Sequence, residues 1–185
     1  MENMLLKMLG VLLCALAACA EIAPAADFDL AKMAGKWYTV GFATNAEWCV
    51  NHRDTMKMGS TIMTPTETGN LKSDGSCWRA THVAKKTDTP GRFIFHSHVW
   101  NDDNDMRIVE VVYDNYALAH TIKTKNGVQL VLNKLYSRTT QASNDLQQKF
   151  RQFSLDTGVL AENILILPPN VCPVSNSFTR PAPGP

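Results

Sequence analysis

Cys49 is the side chain of this sequence with the most chemical potential. It follows Trp48, and His52 and Arg53 come soon after it. A thiolate is the strongest common nucleophile at neutral pH, and nearby cations lower a thiol's pKa. Such a group can attack a peroxide or another electrophile, exchange electrons with a ligand, or form a disulfide with another molecule. The plainer reading is an inert, half-buried thiol. That reading is preferred, because a nucleophile misplaced by even about 1 Å loses much of its effect. The segment His96-Ser97-His98 is the second candidate. Alternation along a strand puts both imidazoles on one face. Zinc or copper would need a third ligand, which His82 or His120 supplies only if the strands align. No metal is therefore expected. Asn101-Asp102-Asp103-Asn104-Asp105 resembles a calcium loop but lacks the glycine at the sixth position and the glutamate at the twelfth. It reads as a solvated turn.

Composition narrows what these residues can be for. The net charge is +1 over 185 residues, and no basic cluster is present. Nucleic acid and anionic membrane surfaces are not expected partners. Lys7, the apolar run Met8 to Ala18, and Ala18-Cys19-Ala20 form a secretory leader with a small-x-small cleavage site. The run is too short to span a bilayer, which takes about 20 residues. Leu16-Ala17-Ala18-Cys19 also fits a bacterial lipoprotein signal and is the minor alternative. Residues 1–20 are thus expected to be a signal peptide. The protein is expected to be secreted and extracellular, without stable membrane insertion. Of five cysteines, Cys14 and Cys19 leave with the leader; Cys49, Cys77 and Cys172 remain. In an oxidising compartment one pair should close and one thiol be left over. Spacing alone leaves all three pairings open. A long loop such as Cys77 to Cys172 would gain about 4 kcal/mol in the chain-entropy account.

The elements that must position these groups are mostly strands. Trp37 to Ala43 is the first, with Trp37, Thr39, Gly41 and Ala43 on one face. Lys57 to Thr64, Gly69 to Asp74, Cys77 to Lys85, Arg92 to Val99, Met106 to Tyr113, Tyr116 to Lys123 and Val128 to Tyr136 follow. Asn126-Gly127 is a type I′ hairpin signal. So many short strands in direct succession form an up-and-down meander, which closes on itself to remove its edges. The period then changes. Leu146, Phe150 and Phe153 fall on one helical face, with Ser143-Asn144 as the cap and Gly158 as the stop. Asn163 to Leu167 is a last short strand. The expected fold is all-β: an eight-stranded antiparallel up-and-down barrel with one C-terminal α-helix packed outside. It occupies residues 21–174, followed by a disordered Pro-rich tail at 175–185.

Gly35-Lys36-Trp37-Tyr38 before the strands, with Leu135-Tyr136-Ser137-Arg138 before the helix, resembles the lipocalin family. That resemblance implies that Trp37 closes the narrow end of the barrel and that Arg138 lies across it. Gly41 to Trp48, Val109 to Leu118, Leu135 to Thr139, Lys149-Phe150, and Leu165 to Cys172 are similar, within that family, to the lipocalin-type prostaglandin D synthases. The likeness covers about residues 28 to 174 and implies a Cys77–Cys172 disulfide. Two features depart from it. Val111-Val112-Tyr113 replaces the usual Thr-Asp-Tyr, and the stretch Gly69 to Cys77 is short for a third strand.

The synthases attack the endoperoxide with a cysteine on the second strand. Here the resemblance puts Gly59 at that position, so no catalytic residue is expected. Thr39 and Thr61 keep hydroxyls where the synthases have assisting hydroxyl groups. The implied function is a secreted carrier that binds and transports one small hydrophobic ligand, such as a retinoid, fatty acid or bile pigment. The expected lining is Thr39, Trp48, Met58, Thr61, Met63, Phe93, Phe95, Tyr116, Leu118 and His120. The alternative is a prostaglandin-H2 D-isomerase with relocated or residual thiol chemistry, with Cys49 as substitute nucleophile and glutathione as cofactor in that case alone. The chain is expected to be a monomer, or a dimer where Cys49 joins two copies.

Overall fold

β1 (Gly35–Thr44) is the strand on which the fold closes. In the computed structural model, which describes residues 21–75 and 81–169, it touches three other strands. Its first half pairs with β2 (Gly59–Pro65). Residues 38–44 pair with β8 (Val128–Ser137), and Gly41 to Ala43 also pair with a short β9 (Ile164–Ile166). Between β2 and β8 run β3 (Leu71–Gly75), β4 (Thr81–Lys86), β5 (Arg92–Ser97), β6 (Asp102–Val112) and β7 (Tyr116–Lys125), each antiparallel to the next. Eight strands therefore form a closed up-and-down barrel, and β9 adds one strand to the outside edge of β1. Among the described residues, closure pairs every barrel strand on both sides, which protects strand edges.

Local chemistry explains the connections. Asn126 and Gly127 both have positive φ, 51° and 79°, as a type I′ hairpin between β7 and β8 requires. A short helix, α1 (Glu47–His52), follows β1. Sequence reading missed it. The long helix α2 (Asn144–Asp156) starts where the Ser143 side chain accepts a hydrogen bond from the Leu146 amide. It ends at Gly158, which has a φ of 84°. Leu146 and Phe150 are buried against the outside of β1 and β8.

Two expectations are corrected. Asp102 to Asp105 do not form a turn; they open β6, and only Asn101, with a φ of 51°, turns the chain. The run is polar because each side chain has a partner across the sheet. Asp103 pairs with His96 and Asp105 with Arg92 on one face, while Asp102 and Asn104 reach Lys123 on the other. The second correction concerns β1. A bulge between Thr39 and Gly41 inserts one residue and reverses the alternation beyond it. Gly41 and Ala43 therefore face α2, and Phe42 faces the interior. At Gly41 an added Cβ would stand 2.7 Å from Phe150 and 2.8 Å from Leu135, so only glycine lets the helix lie this close. The short β3 is fully laddered, to β2 over five residue pairs and to β4 over four. The leader, the Cys77–Cys172 bridge and the Pro-rich tail lie outside the described residues.

Candidate functional site

The two ends of the barrel are built differently. At the narrow end Trp37 is fully buried, and its Nε1 donates to the Met33 carbonyl at 2.9 Å. The Arg138 guanidinium stacks 3.7 Å from the Trp37 ring centroid. It also donates to the carbonyls of Tyr113, Lys36, Ala34 and Lys32. One planar, permanently charged group thus satisfies four backbone acceptors and covers an aromatic face. Met33, Leu71 and Phe93 pack against Trp37 and complete the plug. Tyr113, the residue that the altered motif keeps, accepts a hydrogen bond from the Asp29 amide at 2.6 Å. Trp37 and Arg138, expected at the narrow end, are brought into contact there.

Above the plug lies a cavity of about 480 Å³ with a mostly apolar wall. This is within the range of about 300–1,000 Å³ usual for small-molecule sites. Met63, Phe95, Met106, Leu132 and Tyr136 line it. Trp48 of α1 and Trp100 of the β5–β6 turn stack at its mouth, ring centroids 5.2 Å apart and planes 18° apart. Phe42 meets Trp48 edge-on at 6.1 Å.

The residues expected to line the cavity fall into three groups. Trp48, Met63 and Phe95 line it. Thr39 and Thr61 are on the inner face without reaching the main volume. Thr39 stands in register between Gly59 and Tyr136, and the Thr61 hydroxyl bonds Ser73 at 2.7 Å. Phe93 belongs to the plug below. Met58 precedes β2 and packs outside with Cys49 and Leu167. Tyr116, Leu118 and His120 are on the wrong face of β7. Leu118 packs under α2, the Tyr116 hydroxyl meets Glu110 and Lys149, and His120 sits between Asn133 and Phe153. The inner face of β7 is instead Ala117, Ala119, Thr121 and Lys123, small or polar residues that give no apolar signal. Phe42, Leu132, Lys134 and Trp100 were missed. The alternation Leu130, Leu132, Lys134, Tyr136 along β8 was the available clue to two of them.

Cys49 is not the exposed, activated thiol that its neighbours suggested. It is 1% exposed, and its thiol donates to the Met56 sulfur at 3.5 Å. Burial pushes its pKa up to about 11, so the thiolate is scarce at neutral pH. His52 turns away and bonds the Trp48 carbonyl at 2.7 Å. Neither a substitute nucleophile nor a linking thiol is presented by this geometry. Gly59 lies on the inner wall opposite Thr39, and a Cβ there would meet nothing within 4 Å. Among the described residues no thiol reaches the cavity. His96 and His98 have ring centroids 5.1 Å apart, and His96 bonds Asp103. Among the described residues no three His, Cys, Asp or Glu side chains gather as a metal site.

One side of the cavity wall is charged. Lys123 pairs with Asp102 at 2.9 Å and donates to Asn104 at 2.8 Å. Asn104 donates to the other oxygen of Asp102 at 2.7 Å. Burial lowers the Lys123 pKa, and the bond to Asp102 opposes that shift. Across the cavity, His82 is held below the ordinary imidazole value, first by burial and then by Lys134 and Lys123.

Comparison with known proteins adds to this geometry. The pattern of the lipocalin / cytosolic fatty-acid binding protein family matches residues 34–171. A protein named lipocalin from Rhinella marina is 36% identical over 174 residues, 91% of this chain and 95% of that one. A prostaglandin-H2 D-isomerase from Felis catus is 29% identical over 175 residues, 91% of each. Among solved structures, the siderocalin Ex-FABP, said to function through dual ligand specificities, superposes with a TM-score of 0.66. It is 23% identical, and the match covers 76% of this chain and 96% of that one, a likeness of fold.

Proposed function

The chain belongs to the lipocalin / cytosolic fatty-acid binding protein family, and from that premise we propose that it is a secreted carrier of one small hydrophobic molecule. The observation that carries this reading is the open, largely apolar cavity of about 480 Å³ above the Trp37 plug. Burying about 300 Å² of ligand apolar surface would contribute roughly 7 kcal/mol before the cost of association is subtracted. The Trp48–Trp100 pair at the mouth gives a direct optical readout. Titration with retinoic acid is expected to quench Trp fluorescence and saturate at one ligand per chain. Mass spectrometry of the secreted protein is expected to find an apolar co-purifying molecule. Absence of saturable quenching would overturn the reading.

Secretion rests on the leader at residues 1–20. Among the described residues no helix is long and apolar enough to cross a membrane. N-terminal sequencing of protein released by cultured cells is expected to start at Glu21, and peptide mapping to find the Cys77–Cys172 bridge. The chain is proposed to be monomeric, which sedimentation tests.

The similarity to a prostaglandin-H2 D-isomerase supports a second reading, in which the protein isomerises prostaglandin H2 with glutathione. Gly59 at the expected nucleophile position and the buried, high-pKa Cys49 weigh against it. A glutathione-dependent isomerase assay is expected to show no turnover. Turnover abolished by Cys49→Ala would reverse the ranking.

A further inference from the structure

β5 pairs with β6 only as far as Arg107. From Ile108 to Val112 β6 keeps its ladder to β7, and among the described residues no strand pairs with its other side. The stretch is Ile108-Val109-Glu110-Val111-Val112, rich in β-branched residues, and Val112 is 43% exposed. A strand edge of this composition is a template for another strand. Residues 21–29 run along it instead. The Ala25 amide donates to the Ile108 carbonyl at 2.8 Å, and the Tyr113 hydroxyl donates to the Asp27 carbonyl at 3.4 Å. Pro24 and Phe28 close on Gly91, where an added Cβ would stand 3.0 Å from Pro24, and Phe28 meets Phe93 edge-on at 5.9 Å. Glu21 pins the far end of this strap. Its carboxylate pairs with Arg107, whose side chain is 6% exposed, and with Arg92 at 3.6 Å. Asp105 serves the same two guanidiniums, at 2.8 Å from Arg92 and 3.3 Å from Arg107. Two cations thus share two carboxylates, and one of those belongs to the strap. Without Glu21 the buried Arg107 is under-compensated.

We propose that residues 21–25 are an edge cover that keeps this chain monomeric, and that a chain lacking them joins a second copy through residues 108–112 of β6. The sequence offers a way to lose them. Ala23-Pro24-Ala25 repeats the small-x-small pattern of Ala18-Cys19-Ala20 five residues later. Cleavage there starts the chain at Ala26, which removes Glu21 and the Ala25 amide and leaves Phe28 and Asp29 in place. A second copy fits the bare edge because the edge is self-complementary. Two copies pair antiparallel about a twofold axis, and pairing centred on Glu110 sets each Arg107 opposite a Tyr113 and apart from the other Arg107. The carrier function is independent of this contact, since the edge is at the closed end of the barrel and the cavity opens at the other.

Sedimentation velocity over a concentration series compares chains that start at Glu21 and at Ala26, with near-UV circular dichroism as the check that each is folded. The Glu21 chain is expected to stay at the monomer mass. The Ala26 chain is expected to rise to about twice that mass, the closed twofold assembly, and its Val109 to Val112 amides to exchange more slowly as concentration rises. Val112→Lys in the Ala26 chain puts a charge on the edge and should restore the monomer. If the Ala26 chain does not fold, Glu21→Gln combined with Ala25→Pro loosens the strap without shortening the chain and takes its place, with the same doubling expected. A folded strapless chain that remains monomeric overturns the proposal, as does a Glu21 chain that dimerises equally. A dimer that Val112→Lys leaves intact, with exchange at 109–112 unchanged by concentration, overturns it too, because the contact then lies elsewhere.

Discussion

The closed and open ends of this barrel use aromatic residues to opposite purposes. At the closed end Trp37 is 0% exposed, its indole N–H is bonded, and Arg138 joins it to four backbone carbonyls. At the open end Trp48 is 38% exposed, sits on a six-residue helix and meets the rings of Trp100 and Phe42. One aromatic cluster is sealed inside the fold and the other is partly exposed at the cavity mouth. The first packs the closed end of the barrel, and the second lines the cavity at its mouth. Stability and ligand exchange are thereby assigned to different ends, so substitutions should separate them.

The largest effect is expected at the plug. Trp37→Ala should destabilise the protein by about 3–5 kcal/mol in urea unfolding, the usual range for a buried Trp. If it loses less than about 1 kcal/mol, the closed end is not what holds the barrel. Gly41→Ala comes next, at about 1–3 kcal/mol, because the new methyl must displace Phe150 or Leu135. Retinoic acid affinity should change little, since Gly41 faces α2 and not the cavity.

Acidification comes third. Burial, with Arg107 adding to it, holds the His120 pKa below 6.5; the hydrogen bond with Asn133 and the charge of Asp105 oppose. Above pH 6.5 both folded and unfolded chains carry this imidazole neutral, and its contribution to stability is complete. Below that value the unfolded chain binds a proton that the folded chain resists, and stability falls until the folded-state pKa is passed. Urea midpoints at pH 7 and pH 5 should show a smaller drop for His120→Asn than for the wild type; equal drops would contradict the account. The smallest stability effect belongs to the mouth. Trp48→Ala should lose about 0.5–1 kcal/mol, the scale of one aromatic pair, yet speed ligand release in stopped-flow measurements. Unchanged release would mean that the pair does not guard the passage.

The same contrast decides what was legible in the sequence. Gly35-Lys36-Trp37-Tyr38 and Arg138 are readable because the plug needs those side chains at fixed places. The meander is readable because turns such as Asn126-Gly127 have specific backbone demands. The cavity wall was less so. The bulge at Val40 is a backbone insertion with no residue signature, and it exchanged Phe42 for Ala43 on the inner face. On β7 the apolar residues face α2 and the small and charged ones face the ligand space, so hydrophobicity pointed to the wrong side. The polar run Asp102 to Asp105 reads as a turn until its partners on β5 and β7 are known. The burial of Cys49 depends on Met56, Met58 and Leu167 folding over it, which spacing cannot reveal.

The central claim is that a single hydrophobic ligand occupies the barrel interior beside a wall that, among the described residues, carries no thiol. Gly59→Cys tests it most directly, because the new side chain enters open space on that wall. A small maleimide, with the labelled peptide identified by mass spectrometry, is expected to modify Cys at this position quickly in empty protein and slowly after loading with retinoic acid. A labelling rate that loading does not change would place the ligand elsewhere and contradict the account.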